Sequence, residues 1–365
     1  MEFVKRRGFS STSPWRAGEE EVSDTKRRDW ASLTPPLLLA VLRRLDSLED
    51  FFAFRGVCRA WRSAGAPSVD ALAGQSPLLL LTRFPSYTEA FFDLPRRRLY
   101  RFRLPWSVHS RRSLAFVPGG HLVTATHSPK SKILLWNIFT QSQIRLPTAP
   151  LPFRRVLLSS NPVTAGHHCV VLLFSKGGSL IQYSRIGDSL WTIRDSDPSI
   201  ADMIFFRDGN LYALTATMQL LVADLSADRD FHPLRNGSAA APAPASAHYE
   251  QFLAEAGGDM LVLCHRFQRG FDVFRWDFKR GRWVEALDLG GRAVFLGSTG
   301  FAGSIATGTG LGIRGDCIYY VGRRKDAWYV FSMEEQTIEV LSPDSPGLLK
   351  GESAMETVWV LPSLC

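Results

Sequence analysis

A hairpin pattern recurs along most of this chain and leaves few folds open to it. Each unit has an aromatic or apolar residue, a polar residue, a tight turn and a second short apolar run. The units begin near residues 93, 137, 184, 224, 277 and 332. A period of about 40–50 residues with about four strands per unit is typical of a β-propeller blade. The sequence therefore predicts an all-β domain over residues 76–365, folded as a six-bladed β-propeller.

The first unit is one strand short, and the last strand of the chain has no partner in its own unit. Residues 78–82, 90–94 and 99–104 give the first unit three strands, whereas residues 357–361 form a spare one. Open sheet edges invite wrong pairing. We therefore expect the C-terminal strand to complete blade one.

Three segments of this β-rich part resemble the KIB-type β-propeller domain of plant F-box proteins. They are Trp136-Asn137 with Ile144-x-Leu146-Pro147, then Ala293 to Gly297, then Gly315 to Tyr320. The resemblance implies a plant protein whose propeller holds a ubiquitination target on its exposed face. A kelch propeller is the nearest alternative, because one unit carries kelch-like residues: Gly177, Gly178, Tyr183 and Trp191.

Residues 29–70 have a helical pattern instead. Two prolines open a first helix, where a missing N–H costs nothing, and apolar residues then recur at helical spacing. Ser47 and Asp50 form a capping box before a second helix, which Gly56 ends. Val57 and Trp61 share one face of a third helix. A module this small needs a partner or a neighbouring domain to bury its apolar residues.

These helices resemble an F-box, above all in the ending Val57-Cys58-Arg59-Ala60-Trp61. Thr34 stands where the family has proline, and Pro36 replaces its acidic residue. The resemblance implies binding to the Skp-type adaptor of a cullin–RING ubiquitin ligase, through the following residues: Leu33, Pro35, Leu37, Leu38, Val41, Leu45, Val57, Cys58 and Trp61. The alternative is an ordinary three-helix fragment that packs on its own C-terminal domain.

Composition narrows the class of protein. A net charge of +8, from 43 basic and 35 acidic residues, is mild and gives no nucleic-acid signature. No run approaches the roughly 18 apolar residues of a membrane span. Five widely spaced cysteines predict reduced thiols in the cytoplasm or nucleus. Residues 1–28 are predicted to form a disordered basic and acidic extension, and residues 71–75 a linker.

Residues of the types used in catalysis or metal binding are not accompanied in the sequence by the partner residues that such sites need. The aspartates fall mainly in predicted turns, so no catalytic pair is expected. His167-His168-Cys169 has no visible partner ligands for a metal. The glycine-rich stretches 297–303 and 308–312 are predicted to be loops. We expect no cofactor and no metal.

Basic residues in predicted turns are candidates for target binding, since a shared positive rim would suit an acidic or phosphorylated partner. The candidates are Arg97, Arg111, Arg155 and Arg324.

Taken together, these features predict a non-catalytic substrate-recognition subunit of an SCF-type ubiquitin ligase, linked through the adaptor to cullin and RING subunits. Two alternatives stay open. One is a decoy receptor that binds a partner without joining a ligase. The other is a propeller enzyme such as a glycan-active hydrolase, which a carboxylate pair or metal cluster lining the central channel would favour.

Overall fold

The computed structural model describes residues 30–45, 48–64, 76–83, 88–102, 111–128, 130–195, 199–207, 209–225, 229–234, 250–267, 269–308, 312–322, 327–342 and 355–361. Within these residues, short helices come first and a series of strands follows. The helices are α1 (Pro35–Leu42), α2 (Leu48–Gly56), α3 (Arg59–Ala64) and α4 (Pro162–Ala165), with single 3-10 turns at Trp30–Ser32 and Gly166–His168. No helix among them is long and apolar enough to cross a membrane.

The strands of the first half alternate with short turns. They are β1 (Leu78–Arg83), β2 (Thr88–Asp93), β3 (Arg98–Phe102), β4 (Arg112–Val117), β5 (His121–Ala125), β6 (Ile133–Asn137), β7 (Gln143–Arg145), β8 (Arg155–Leu158), β9 (Val170–Phe174), β10 (Leu180–Arg185), β11 (Thr192–Asp195), β12 (Ile200–Phe206) and β13 (Asn210–Thr215).

The second half continues in the same way. Its strands are β14 (Leu220–Asp224), β15 (Arg229–Pro233), β16 (Glu250–Ala256), β17 (Asp259–Arg266), β18 (Gly270–Asp277), β19 (Arg282–Glu285), β20 (Arg292–Gly297), β21 (Gly300–Ala306), β22 (Cys317–Val321), β23 (Trp328–Ser332), β24 (Ile338–Leu341) and β25 (Met355–Val360).

These strands form six sheets, and each sheet is one blade. Blade one is β25-β1-β2-β3, blades two to five are β4–β7, β8–β11, β12–β15 and β16–β19, and blade six is β21-β20-β22-β23-β24. The innermost strands of neighbouring blades contact one another around the whole ring, from β25 to β4 and onward to β21, while β20 contacts β25. The predicted six-bladed propeller is therefore confirmed, and each of the six predicted hairpins is the outer strand pair of one blade.

The ring closes where the end of the chain meets its first strand. β25 pairs antiparallel with β1, from Leu78↔Val360 to Arg83↔Met355. Trp359 is fully buried, and its Nε1 donates to the carbonyl of Leu296 in blade six over 2.9 Å. This is the arrangement that the spare strand predicts, and it joins blades one and six.

Blade six departs from the prediction, because part of its glycine-rich segment is a strand and not a loop. Residues 300–306 form β21, the innermost strand, and β20 lies parallel to β22. Gly300 has φ +130°, and a Cβ there would overlap the guanidinium of Arg155. Glycine is needed at this point because a buried side chain occupies the space, so the high glycine content did not indicate a loop here.

The helices do not form a separate core. Leu38, Leu42, Phe51 and Phe54 belong to one hydrophobic cluster with residues of blades one and two, and the Phe51 ring lies 5.9 Å from that of Phe139. A segment of this size buries too little apolar surface to be stable alone. The helical segment, residues 30–64, therefore depends on the propeller. Ser47 of the predicted capping box lies outside the described residues.

The two faces of the ring are distinguished by strand direction. Strands within blade two alternate, so the start of β4 and the β5–β6 loop lie at one end, and the β6–β7 turn lies at the other. The helical segment packs at the β6–β7 turn through Phe139. We call this end of the ring the helical face, and the opposite end the far face.

Candidate functional site

Helix α1 presents apolar side chains to solvent. Leu38 and Leu42, one turn apart, are buried against the propeller. Leu37 and Val41, also one turn apart, are 53% and 38% exposed on the other side. Helix α1 therefore has two apolar faces, and only one of them is covered. Exposed apolar residues in contiguous groups are typical of protein interaction sites.

The second and third helices hold α1 in place. Phe54 is buried and its ring centroid lies 4.6 Å from that of Trp61. The Trp61 indole donates to the carbonyl of Trp30 over 2.9 Å, which ties the first 3-10 turn to α3. Val57, between α2 and α3, is 52% exposed. The three helices thus pack on one another, with α3 in contact with both α1 and α2.

The nine residues predicted to bind an adaptor fall into three groups by exposure. Pro35, Leu37, Val41 and Val57 are exposed, Leu33, Leu45, Cys58 and Trp61 are half-buried, and Leu38 is buried. Leu38 packs in the shared core, so its contact is with the propeller in this structure. The exposed members define the surface on which adaptor binding stays a prediction. We call Pro35, Leu37, Val41 and Val57 the α1 patch.

The three candidate arginines that the structure describes do not share one rim. Arg97 lies in the β2–β3 turn, at the helical end of its blade, and pairs with Glu339 over 3.0 Å. Arg111 precedes β4 on the far face, and Arg324 lies outside the described residues. The prediction for Arg155 is wrong, because Arg155 starts strand β8 and is 4% exposed. A turn pattern could not distinguish it from its exposed neighbour Arg154.

Arg155 is instead part of a buried polar network at the centre of the ring. Its guanidinium pairs with Asp202 of blade four and lies over the ring of Phe174. Asp202 also accepts the N–H of Met203 over 2.8 Å and that of Leu253 in blade five over 2.9 Å. Burial lowers the pKa of Arg155 to about 9, so it stays charged at neutral pH. Sequence reasoning missed Asp202 because nothing in a β-strand pattern reveals a charge that is buried and paired.

A cavity of about 440 Å³ occupies the middle of the ring. Inner strands of all six blades line it, and apolar residues dominate. Two side chains of the β20–β21 turn bond across its far end: Ser298 Oγ donates to the carbonyl of Thr357, and Thr299 Oγ1 donates to that of Leu114. The lining in the described residues holds one carboxylate, Glu255, which accepts the N–H of Gly258 over 2.6 Å. A two-carboxylate hydrolytic mechanism therefore has no pair in this lining.

Histidine and cysteine residues form no evident ligand set. In the part of the chain that the structure describes, no group of three or more His, Cys, Asp or Glu side chains is arranged to hold a metal. His167 packs against Gly187. Burial raises the pKa of the Cys264 thiol to about 12. A thiol of this kind is protonated at neutral pH and is a poor nucleophile.

Comparison with known proteins places the propeller in a family. The family model described as KIB1-4 beta-propeller matches residues 91–342, from β2 to the end of β24. In Arabidopsis thaliana, F-box/kelch-repeat protein At1g57790 is 26% identical over 274 residues, which are 73% of this chain and 76% of that protein. F-box/kelch-repeat protein At1g64840, of the same plant, is 25% identical over 311 residues, which are 74% of this chain and 78% of that protein. Among solved structures, Hsv2 of Kluyvelomyces marxianus matches with a TM-score of 0.34 and 14% identity, over 58% of this chain and 67% of that one.

Proposed function

Since this chain belongs to the KIB1-4 β-propeller family, with relatives in Arabidopsis thaliana that are named F-box proteins, we propose that it is the substrate-recognition subunit of an SCF-type ubiquitin ligase. The helical segment would be its F-box and would bind a Skp-type adaptor. Cullin and RING subunits would join through that adaptor, and the propeller would hold the protein target. The chain itself would supply no catalytic group, because raising the local concentration of target near the conjugating enzyme is enough to speed transfer.

The observation that carries the proposal is the α1 patch. Leu37 and Val41 lie on a helix whose adjacent face, with Leu38 and Leu42, is already anchored in the propeller core. An apolar helix face presented on a rigid base suits insertion into a groove of a partner. Binding there would leave the far face of the ring uncovered for a target.

The test is capture of a purified Skp-type adaptor by full-length protein and by a Leu37→Glu/Val41→Glu variant. Both side chains are exposed, so the free energy of unfolding should change little. Because Leu37 and Val41 are already about half buried, covering what remains exposed contributes about 1.5–3 kcal/mol to binding, and two charges in the interface would abolish that gain. We therefore expect the affinity to fall at least tenfold. Leu287→Glu is the matched control, because Leu287 is a 78% exposed leucine on blade five.

Adaptor binding also decides between a receptor and a decoy. A folded wild-type protein that shows no affinity for the adaptor would contradict the ligase role and favour the decoy alternative. Equal loss of binding in the Leu287→Glu control would show that the effect is a general one of added charge, and would remove the α1 patch from the argument. The isolated helical segment is unsuitable for this test, because its core residues are shared with blades one and two.

A further inference from the structure

Acidic residues are missing from one long stretch of the chain. Residues 94–187 contain 14 Lys and Arg residues and no Asp or Glu. The remaining 29 of the 43 basic residues and all 35 acidic residues lie elsewhere, so the rest of the chain is net negative. The stretch covers the end of blade one, all of blade two and most of blade three. The mild overall charge therefore conceals a strongly positive sector.

Much of this positive charge lies on the far face. Arg111 precedes β4, Lys130 and Lys132 lie in the β5–β6 loop, Arg145 ends β7 and Arg154 precedes β8. These are the strand ends opposite the β6–β7 turn, where the helical segment packs. Four of the five are exposed and Arg111 is half-buried. We call these five residues the cation cluster.

Two hydrogen bonds fix the guanidinium of Arg111 within the cation cluster. Its Nε donates to Thr124 Oγ1 over 3.1 Å, and its Nη2 donates to the carbonyl of Lys132. Lys132 directly precedes β6, which pairs with the strand that ends at Arg145. Burial lowers the pKa of Arg111, and the nearby positive charge of Arg145 lowers it further. Two guanidinium groups are thus kept close together although they repel each other.

Carboxylates do not relieve this repulsion within the described residues. The neighbouring Arg112 has Glu356 of blade one 3.7 Å away. In the described part of the chain, no ion pair joins a member of the cation cluster to Asp or Glu. An anion from outside would therefore gain favourable charge without first having to displace an internal partner.

We propose that the cation cluster binds a phosphorylated segment of a partner protein. The inference rests on the proposed function in one respect: the partner would be the ubiquitination target held by the far face. A phosphoryl group carries a charge of about −1.5 to −2, so one group neutralises two adjoining guanidiniums, whereas a carboxylate neutralises one. Guanidinium also matches phosphate oxygens in a bidentate geometry.

Nucleic acid fits this surface less well. Proteins that bind single strands use exposed aromatic rings on which bases stack, in addition to positive charge. Within described residues 111–154, the aromatic rings of Phe116, Trp136, Phe139 and Phe153 are all buried. Among described residues 111–154, the cation cluster therefore offers ion pairs but no exposed phenylalanine, tyrosine or tryptophan ring.

The experiment measures binding of full-length protein to fluorescent peptide libraries at about 0.15 M salt. Three degenerate libraries carry phosphoserine, serine or glutamate at a fixed central position, and a uridine oligonucleotide of similar length is the fourth probe. Lys132→Gln/Arg145→Gln removes two exposed charges from the cation cluster. Arg280→Gln/Arg282→Gln is the matched control, with the same loss of charge on exposed residues of blade five.

We expect the phosphoserine library to bind at least tenfold more tightly than the other two libraries. The Lys132→Gln/Arg145→Gln variant should lose at least tenfold, and the control less than twofold. Equal binding of the glutamate library, preferential binding of the oligonucleotide, or equal loss in the control would each overturn the proposal. Adaptor capture is measured on the same proteins. Phosphopeptide binding without adaptor binding would contradict only the ligase role. Adaptor binding without phosphopeptide binding would contradict only the proposal for the cation cluster.

Discussion

The substitution Asp202→Asn tests whether the central ion pair organises the ring. Asp202 is fully buried and Arg155 is 4% exposed, so removal of the negative charge takes away the ion-pair partner of a guanidinium in the interior. Breaking a buried pair in this way costs about 3–5 kcal/mol. The two carboxylate oxygens of Asp202 each accept one backbone N–H, from Met203 and from Leu253. Asparagine has only one oxygen, so one of these N–H groups would lose its acceptor. Either unpaired N–H adds about 1–3 kcal/mol.

The cost is large relative to the stability of a folded protein, which is about 5–15 kcal/mol. Urea unfolding monitored by tryptophan fluorescence gives the free energy of unfolding of the wild type and the variant. Asp230→Asn is the control, because Asp230 also pairs with an arginine, Arg194, over 2.7 Å, but its own side chain is 88% exposed. Exposed pairs contribute about 0–1 kcal/mol, so this control should unfold almost like the wild type.

A double variant separates the charge effect from packing. Arg155→Met/Asp202→Leu removes both charges and leaves apolar side chains, so it should be more stable than Asp202→Asn alone. The reasoning would be refuted if Asp202→Asn lost less than about 1 kcal/mol, or if the double variant were no more stable than the single one.

Three further predictions concern two buried groups and one half-buried lysine. Burial lowers the pKa of His121 to about 4, so on acidification the histidine of the unfolded chain is protonated near pH 6.5, before that of the folded chain. The contribution of neutral His121 to the free energy of unfolding is therefore fully present above pH 6.5 and falls by about 3 kcal/mol between pH 6.5 and 4. Urea unfolding across this range should show that fall in the wild type and a flatter profile in His121→Phe, and equal profiles would contradict the assignment. Trp359→Ala should cost about 3–5 kcal/mol and speed amide exchange in β1 and β20, which flank the closure; exchange that rises equally in blade four would argue against a local role. Burial, with the nearby charge of Arg155, lowers the pKa of Lys176 to about 7, so trace acetylation followed by mass spectrometry should show its reactivity rising most steeply near pH 7. A reactivity profile that follows that of exposed Lys130 over pH 6–9 would show that Lys176 is not perturbed.

The repeat pattern predicted the propeller well, for a physical reason. The outer hairpin of each blade alternates apolar and polar residues and turns tightly, as at Trp136-Asn137, so its signal is local. The pairing of Val360 with Leu78 joins the most distant strand residues among those the structure describes, but it too followed from local evidence, since a strand with no partner predicts one elsewhere. The period of the repeat and the number of strands were therefore enough to predict the six blades and the closure of the ring.

The centre of the ring was not predictable in the same way. A Cβ at Gly300 would overlap the Arg155 guanidinium, and that guanidinium is buried with Asp202 as its ion-pair partner. Each of these facts depends on residues from a different blade. Local patterns therefore gave the wrong environment for both Arg155 and the glycine-rich strand β21.

The positive sector could be predicted from the sequence only in part. The members of its cation cluster each stand singly or beside one other basic residue, and a search for runs of like charge passes over them. The signal is the absence of Asp and Glu from a whole stretch, which becomes meaningful once the strand ends are known to meet on one face. A blade brings residues about 10–20 positions apart to the same end, so charge accumulates there without any basic run in the sequence.

The two faces of the ring differ in chemistry as well as position. The helical face buries Phe51 and Phe139 together and presents the apolar α1 patch, whereas the far face presents the cation cluster. An apolar patch gains from any well-fitted partner surface, and its affinity changes little with salt. A cation cluster depends on the charge of its partner and weakens with salt. Constant attachment at one face and binding that depends on phosphorylation at the other are therefore compatible in one chain, because the two partners would not compete for the same surface.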